Sequence, residues 1–129
     1  MYFLNIEKFI VDIGYSIKYK NRNEGIFVIE NEADGVHNLI IGVATPILIF
    51  EQYLFAVKSD NMHVFKSLLM KNRDIIHGAF ALTEDGSKVI FRYTLQTNNL
   101  DFNEFEAAVN SLSLLVSEYS EQLIKFSKT

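Results

Sequence analysis

The most constraining feature of the sequence is an apolar stripe near its C-terminus. Phe105, Val109, Leu112, Val116, Tyr119, Leu123 and Phe126 recur at alternating spacings of four and three residues. Such a stripe lies on one face of an α-helix, and a helix of this length, about 38 Å at 1.5 Å per residue, must lie across a whole sheet. Its start is marked as well. Asp101 and Glu104 form a capping-box-like pair, and Leu100 and Phe105 stand at the positions of a hydrophobic staple.

Upstream of that helix the chain spends few residues on connections. The apolar set Ile6, Phe9, Ile10 and Ile13 predicts a first helix over Asn5–Ile13, capped by Asn5 and ended by Gly14. Tyr15 to Lys20 alternates and reads as strand or loop. Three strands follow, at Ile26–Glu30, Val36–Val43 and Ile47–Lys58. Their near-continuous apolar character predicts a sheet covered at least in part on both faces. Ser59-Asp60-Asn61 is a capping cluster that opens a second helix through Val64, Phe65, Leu68 and Leu69, reaching Asn72 or Ile75.

A hairpin comes next. A two-residue Asp85-Gly86 loop pairs Glu84 with Ser87, Leu82 with Val89 and Phe80 with Phe91. Four large apolar residues then share one face, and Ala79, Ala81, Thr83, Lys88, Ile90 and Arg92 share the other. The resulting order, α-β-β-β-α-β-β-α, is an α+β domain spanning residues 1–129, with a curved antiparallel five-stranded sheet.

Composition removes several function classes. There are no cysteines, so disulfides and thiolate metal sites are excluded. Net charge is −4, and Lys18-Tyr19-Lys20-Asn21-Arg22 is followed closely by Glu24, Glu30 and Glu32, which argues against nucleic-acid binding. The longest apolar run, Ala44 to Phe50, is interrupted by Thr45 and Pro46 and is too short for a membrane span. The N-terminal residues lack the pattern of a signal peptide, so a cytoplasmic protein is the expectation. With 49% hydrophobic residues in a small acidic chain, apolar surface covered by a second subunit or a partner is expected.

No catalytic constellation is legible. His37, His63 and His77 stand far apart, without ligand spacing for a metal. There is no Gly-x-Ser-x-Gly elbow and no glycine-rich phosphate loop. No enzyme and no cofactor are therefore expected. Glu51 and Gln52 stand out as polar residues within an apolar strand. One of them must face inward or toward a partner, and an ion pair of Glu51 with Arg73 or Arg92 is the favoured account.

The element order and the residues from Leu68 onward resemble the type III secretion chaperone-like superfamily, in its YbjN-like and Tir-chaperone-like branch. The resemblance is carried by Leu68-Leu69-Met70-Lys71-Asn72, Asn72-Arg73, His77-Gly78-Ala79-Phe80, Glu84-Asp85-Gly86, Val89-Ile90-Phe91-Arg92 and Asn99-Leu100-Asp101, with Glu51-Gln52 in the third strand. Leu95-Gln96-Thr97 departs from the Leu-Pro-Leu of many secretion chaperones, which bears on a secretion role and not on the fold. The resemblance implies a bacterial, chaperone-like homodimer that holds an extended segment of a partner protein. Its alternative is a YbjN-like regulatory or sensor domain acting through assembly or a small ligand. It further implies pairing through the middle helix and adjoining hairpin, with Val64, Phe65, Leu68, Ile90 and Arg92 as interface candidates. Glu51, Gln52 and Arg73 are candidates for a polar core or partner contact.

Overall fold

The structure is a computed structural model, and it describes residues 2–59 and 61–129. Its elements are α1 (Tyr2–Asp12), β1 (Ser16–Asn21), β2 (Ile26–Asn31), β3 (Val36–Ala44), β4 (Ile47–Ala56), α2 (Met62–Asn72), β5 (Ala79–Leu82), β6 (Lys88–Gln96) and α3 (Phe102–Ser127). The strands form one antiparallel sheet in the order β1-β2-β3-β4-β6-β5.

The sheet therefore has six strands where the sequence led us to expect five. Ser16–Asn21 is a full strand, because a tight Arg22–Gly25 turn folds it onto β2 and pairs Asn21 with Ile26 and Tyr19 with Val28. The first helix also begins earlier than expected, at Tyr2, so Asn5 lies within it and is not its cap. Its end is as expected. Gly14 adopts φ +83°, Tyr15 N donates to Ile10 O and Gly14 N to Val11 O, a Schellman closure. Asn61 caps α2 by accepting from Val64 N at 3.3 Å, whereas Asp60 of the expected capping cluster lies outside the described residues.

The hairpin keeps its expected register but not its expected loop. Phe80 pairs with Phe91 and Leu82 with Val89. The connection is wider than two residues: Thr83 N donates to Lys88 O, and Gly86 N closes the turn on Thr83 O. One Asp85 oxygen accepts from Ser87 N, Ser87 Oγ and Thr83 Oγ1, which stabilises this wider turn with Gly86 in the left-handed region. The same bonds hold the Asp85 carboxyl low, at about 2.

Residues opposite one another across strands share a face, so the register defines rows. Phe27, Ile41, Phe50 and Tyr93 form one row, and Ile17, Ile29, Leu39, Gln52, Phe91 and Phe80 form the next. All three helices pack on this face. Phe105 of α3 lies on Phe50, with ring centroids 5.7 Å apart, and Phe9 of α1 lies against Phe105 at 5.6 Å. Phe3 stacks on Phe27 at 4.2 Å. At the other end Phe80 meets Tyr119, and the Lys71 ammonium of α2 sits over the Tyr119 and Phe126 rings.

The opposite face carries the row Tyr19, Val28, Ile40, Glu51, Arg92 and Ala79. Among the described residues no helix covers it, so the helical cover within this chain lies on one face, where the sequence led us to expect at least partial cover on both. Tyr19, Ile40 and Tyr53 are exposed there. The apolar runs of β3 and β4 thus exceed what one helical layer buries.

The α3 stripe is buried where it crosses the sheet, with Phe105, Val109 and Leu112 at 2% exposure or less. Leu112→Ala is expected to cost about 2–4 kcal/mol and Ile124→Ala, on the exposed flank, within about 0.5 kcal/mol, read from urea midpoints.

Candidate functional site

Three helices cannot cover a six-stranded sheet completely. α1 flanks the N-terminal half of α3 over β1 and β2, and α2 flanks its C-terminal half over β5. The remaining quadrant, beside the C-terminal half of α3 and above β3 and β4, is an open groove of about 370 Å³. Val36, Leu54, Leu112, Val116, Leu123 and Ile124 supply its apolar wall. Gln52 lies on its floor, the one polar member of its row in the sheet.

Gln52 and three serines around this groove are engaged within the chain, and the His37, Asn38 and Tyr53 side chains also line it. The Gln52 amide nitrogen donates to His37 O at 2.9 Å and to Tyr53 O at 3.1 Å. Ser120 and Ser127 donate to carbonyls of their own helix, Ser117 O and Ile124 O. Ser113 donates to Asp34 O at 3.0 Å, tying the β2–β3 turn to α3. Among the described residues no Asp, Glu, Lys or Arg lines the groove. Its chemistry suits an apolar, uncharged occupant and offers no acid–base pair.

The same turn is fastened to the end of α1. Tyr15 is buried and donates to Asp34 Oδ2 at 3.3 Å. Burial and the adjacent Asp34 charge push its hydroxyl up to about 12. Burial, with a smaller contribution from Glu104, also raises Tyr93.

Of the polar candidates, Glu51 and Arg92 face one another on the uncovered sheet face, with Arg92 Nε 3.3 Å from Glu51 Oε2. Arg73 lies elsewhere, at the exposed end of α2. The structure therefore separates Glu51 from Gln52: one is on the bare face, the other on the groove side.

The interface candidates also divide. Val64 and Leu68 are core residues, since α2 turns them onto the sheet, and Ile90 is nearly covered between its cross-strand neighbours Tyr53 and Ala81. Phe65 is half-buried and Arg92 exposed. The outward side of α2 is formed by Met62, Leu69 and Met70, exposed at 82%, 69% and 64%. A shallow apolar depression joins Phe65 and Leu69 to Ala81 and Leu82 of β5. Sequence periodicity identified the helix without separating its two sides, and it was the resemblance that made Val64, Phe65 and Leu68 interface candidates. Met62, Leu69 and Met70 gave no separate signal, because α2 is apolar on both sides.

The histidines stay apart. His37 and His63 are exposed on β3 and α2, and His77 is exposed with its ring 5.8 Å from Tyr93. Among the described residues no group of three or more His, Cys, Asp or Glu could hold a metal ion, and no helix is long and apolar enough to cross a membrane.

This arrangement, an antiparallel sheet with one helical layer and the α-β-β-β-α-β-β-α order carrying an extra edge strand after its first helix, has known relatives. The family model CesT_Tir_1 matches residues 1–129, and the chain belongs to that type III chaperone family. Among solved structures it is similar to YbjN from E. coli, with TM-score 0.67, 15% identity, and 92% of this chain and 90% of that one covered. It is also similar to the Yersinia pestis type III secretion chaperone SycH in complex with a fragment of YscM2. There the TM-score is 0.60 and the identity 14%, over 98% of this chain and 100% of that one. The HopA1-SchA chaperone-effector complex matches with TM-score 0.61 and 10% identity, over 98% and 94%. No curated protein matches the sequence. At these identities the likeness concerns the fold.

Two expectations follow. Because Tyr15 titrates higher in the folded chain than in the unfolded one, its contribution to stability is complete below pH 10 and is lost as pH rises toward 12. Tyr15→Phe should flatten that alkaline decline, as measured by urea unfolding between pH 9 and 12. The Glu51–Arg92 pair is more than a third exposed on both sides, so Glu51→Gln should cost below about 1 kcal/mol, and the difference should shrink further in high salt.

Proposed function

We propose that this chain is a non-enzymatic, cytoplasmic chaperone that acts as a homodimer and holds an extended segment of a partner protein in the groove beside α3. The carrying observation is the chemistry of that groove. An apolar wall, with Gln52, Ser113, Ser120 and Ser127 engaged within the chain and no Asp, Glu, Lys or Arg among the described lining residues, suits aliphatic side chains presented along a peptide. Membership of the type III chaperone family supports the same reading. A regulatory domain that senses a small charged effector is the weaker reading, because no Asp, Glu, Lys or Arg of the described residues lines the groove and the exposed His37 is its sole basic side chain. A neutral ligand remains the relevant competitor.

The dimer seam is assigned to the outward side of α2 and the neighbouring β5 surface: Met62, Leu69, Met70 and Leu82, with Arg73 at the margin. This shifts the seam from Val64 and Leu68 to the other side of the same helix. A stable seam there should bury about 1,200–2,000 Å² in total.

Ile124 is 57% exposed on the groove and Leu69 is exposed on α2, so both can be replaced without opening the core. In light scattering at micromolar concentration Leu69→Asp should convert dimer to monomer. Ile124→Asp should remain dimeric and lose the polypeptide that copurifies from the native host, as identified by mass spectrometry. A monomeric wild type would remove the dimer reading. A small molecule in place of a polypeptide, equally lost in Ile124→Asp, would favour the sensor reading.

A further inference from the structure

β1 and β5 are the two edges of the sheet, and an edge strand presents unpaired peptide groups that a strand from another chain can take up. In β5 the alternation of those groups is fixed. Thr83 N donates inward to Lys88 O, so Ala81 and Ala79 also pair inward with β6, and the peptide groups of Phe80 and Leu82 point outward. Those of Phe80 are already occupied. Phe80 N donates to Asn72 Oδ1 at 2.7 Å, and Asn72 Nδ2 donates to Phe80 O at 3.0 Å. A carboxamide has the donor and acceptor of a peptide unit. One Asn side chain therefore makes both bonds that a residue of an added antiparallel strand would make.

The local sequence places it there. α2 ends at Asn72, and the chain returns through Asp74–Gly78 to start β5. Gly78 has φ +85°, and a Cβ at this position would lie 2.7 Å from the Phe91 ring and 2.8 Å from Arg92 O. Only glycine lets the strand enter so close to β6, and that entry sets Phe80 opposite the last turn of α2.

We infer that β5 is a masked strand-addition site: Asn72 shuts it, and without that carboxamide it takes up β5 of a second copy of this chain. The sequence Ala79-Phe80-Ala81-Leu82 is uncharged and has no proline, so nothing else on the strand blocks such pairing. A dimer of the intact chain then forms through side chains and not by joining sheets. The inference does not depend on the chaperone reading, and it is tested at concentrations low enough to keep the seam near Leu82 open.

Amide hydrogen exchange followed by NMR tests it. In the wild type at low concentration the Phe80 amide should exchange at least tenfold more slowly than the outward Leu82 amide. In Asn72→Ala at the same concentration Phe80 should exchange at least tenfold faster than in the wild type, while Ile41 and Phe50 in the sheet interior stay slow and certify the fold. Raising the Asn72→Ala concentration should slow Phe80 and Leu82 together and add a larger species in light scattering. Asn72→Asp, whose carboxylate still accepts from Phe80 N, should keep Phe80 slow at low concentration. The inference fails if Phe80 and Leu82 exchange alike in the wild type, or if Phe80 in Asn72→Ala stays slow at low concentration. It also fails if Phe80 in Asn72→Ala is fast at every concentration. The wild-type comparison needs no variant, so equal exchange of Phe80 and Leu82 there overturns the inference even if Asn72→Ala does not fold.

Discussion

Phe105 against Phe50 is the contact on which the arrangement depends. It sets the long helix across the central strand of the sheet, at the row Phe27, Ile41, Phe50 and Tyr93. Phe9 then closes on Phe105 from one side and fixes α1. Farther along α3, Tyr119 meets Phe80 and fixes the α2–β5 side. The two flanking helices thus sit diagonally on either side of α3. That diagonal leaves one quadrant of the sheet open, and the groove is the direct result of packing three helices on six strands.

Gln52 shows why the opening is stable. It falls in a row otherwise made of Ile17, Ile29, Leu39, Phe91 and Phe80, where an unbonded amide would cost about 1–3 kcal/mol. Its nitrogen finds His37 O and Tyr53 O, and the side chain stands at the edge of the helical cover. An aliphatic residue there would add to the exposed apolar area of an open groove. The glutamine limits that exposure while keeping the strand within the core row, so the sheet stays continuous beneath the groove.

How much of this was legible in the sequence follows from which signals are local. The α3 stripe, its Asp101 cap and the Phe80–Phe91 register depend on neighbours a few residues away, and all appear as read. β1 was ambiguous because its identity rests on pairing with β2, which Ile17 and Tyr19 alone do not announce. The hairpin loop was misjudged because the Asp85 carboxylate, collecting three donors, outweighs the two-residue preference of Asp-Gly. In the candidate site, Gln52 was visible as an oddity. The faces of α2 were not: Val64, Leu68, Met62 and Leu69 are all apolar, and only tertiary packing decides which pair turns inward. Glu51 found Arg92 because cross-strand register puts them opposite, while Arg73 was an equal candidate by charge alone.

The likeness to YbjN and to two chaperone structures at 10–15% identity fits these constraints. Few positions here demand a particular residue. Gly78 does, because its backbone angle and the Phe91 ring exclude a side chain. Asn72 does, because a peptide-like side chain must reach Phe80. Most other core positions ask only for an apolar residue of suitable volume on the correct row, a demand many sequences satisfy. Surfaces are less constrained still. The apolar groove beside α3, the outward side of α2 and the bare sheet face can be rewritten while the rows beneath them hold. Surface chemistry can therefore vary on a scaffold whose interior pattern does not, which is why the fold by itself does not define a ligand.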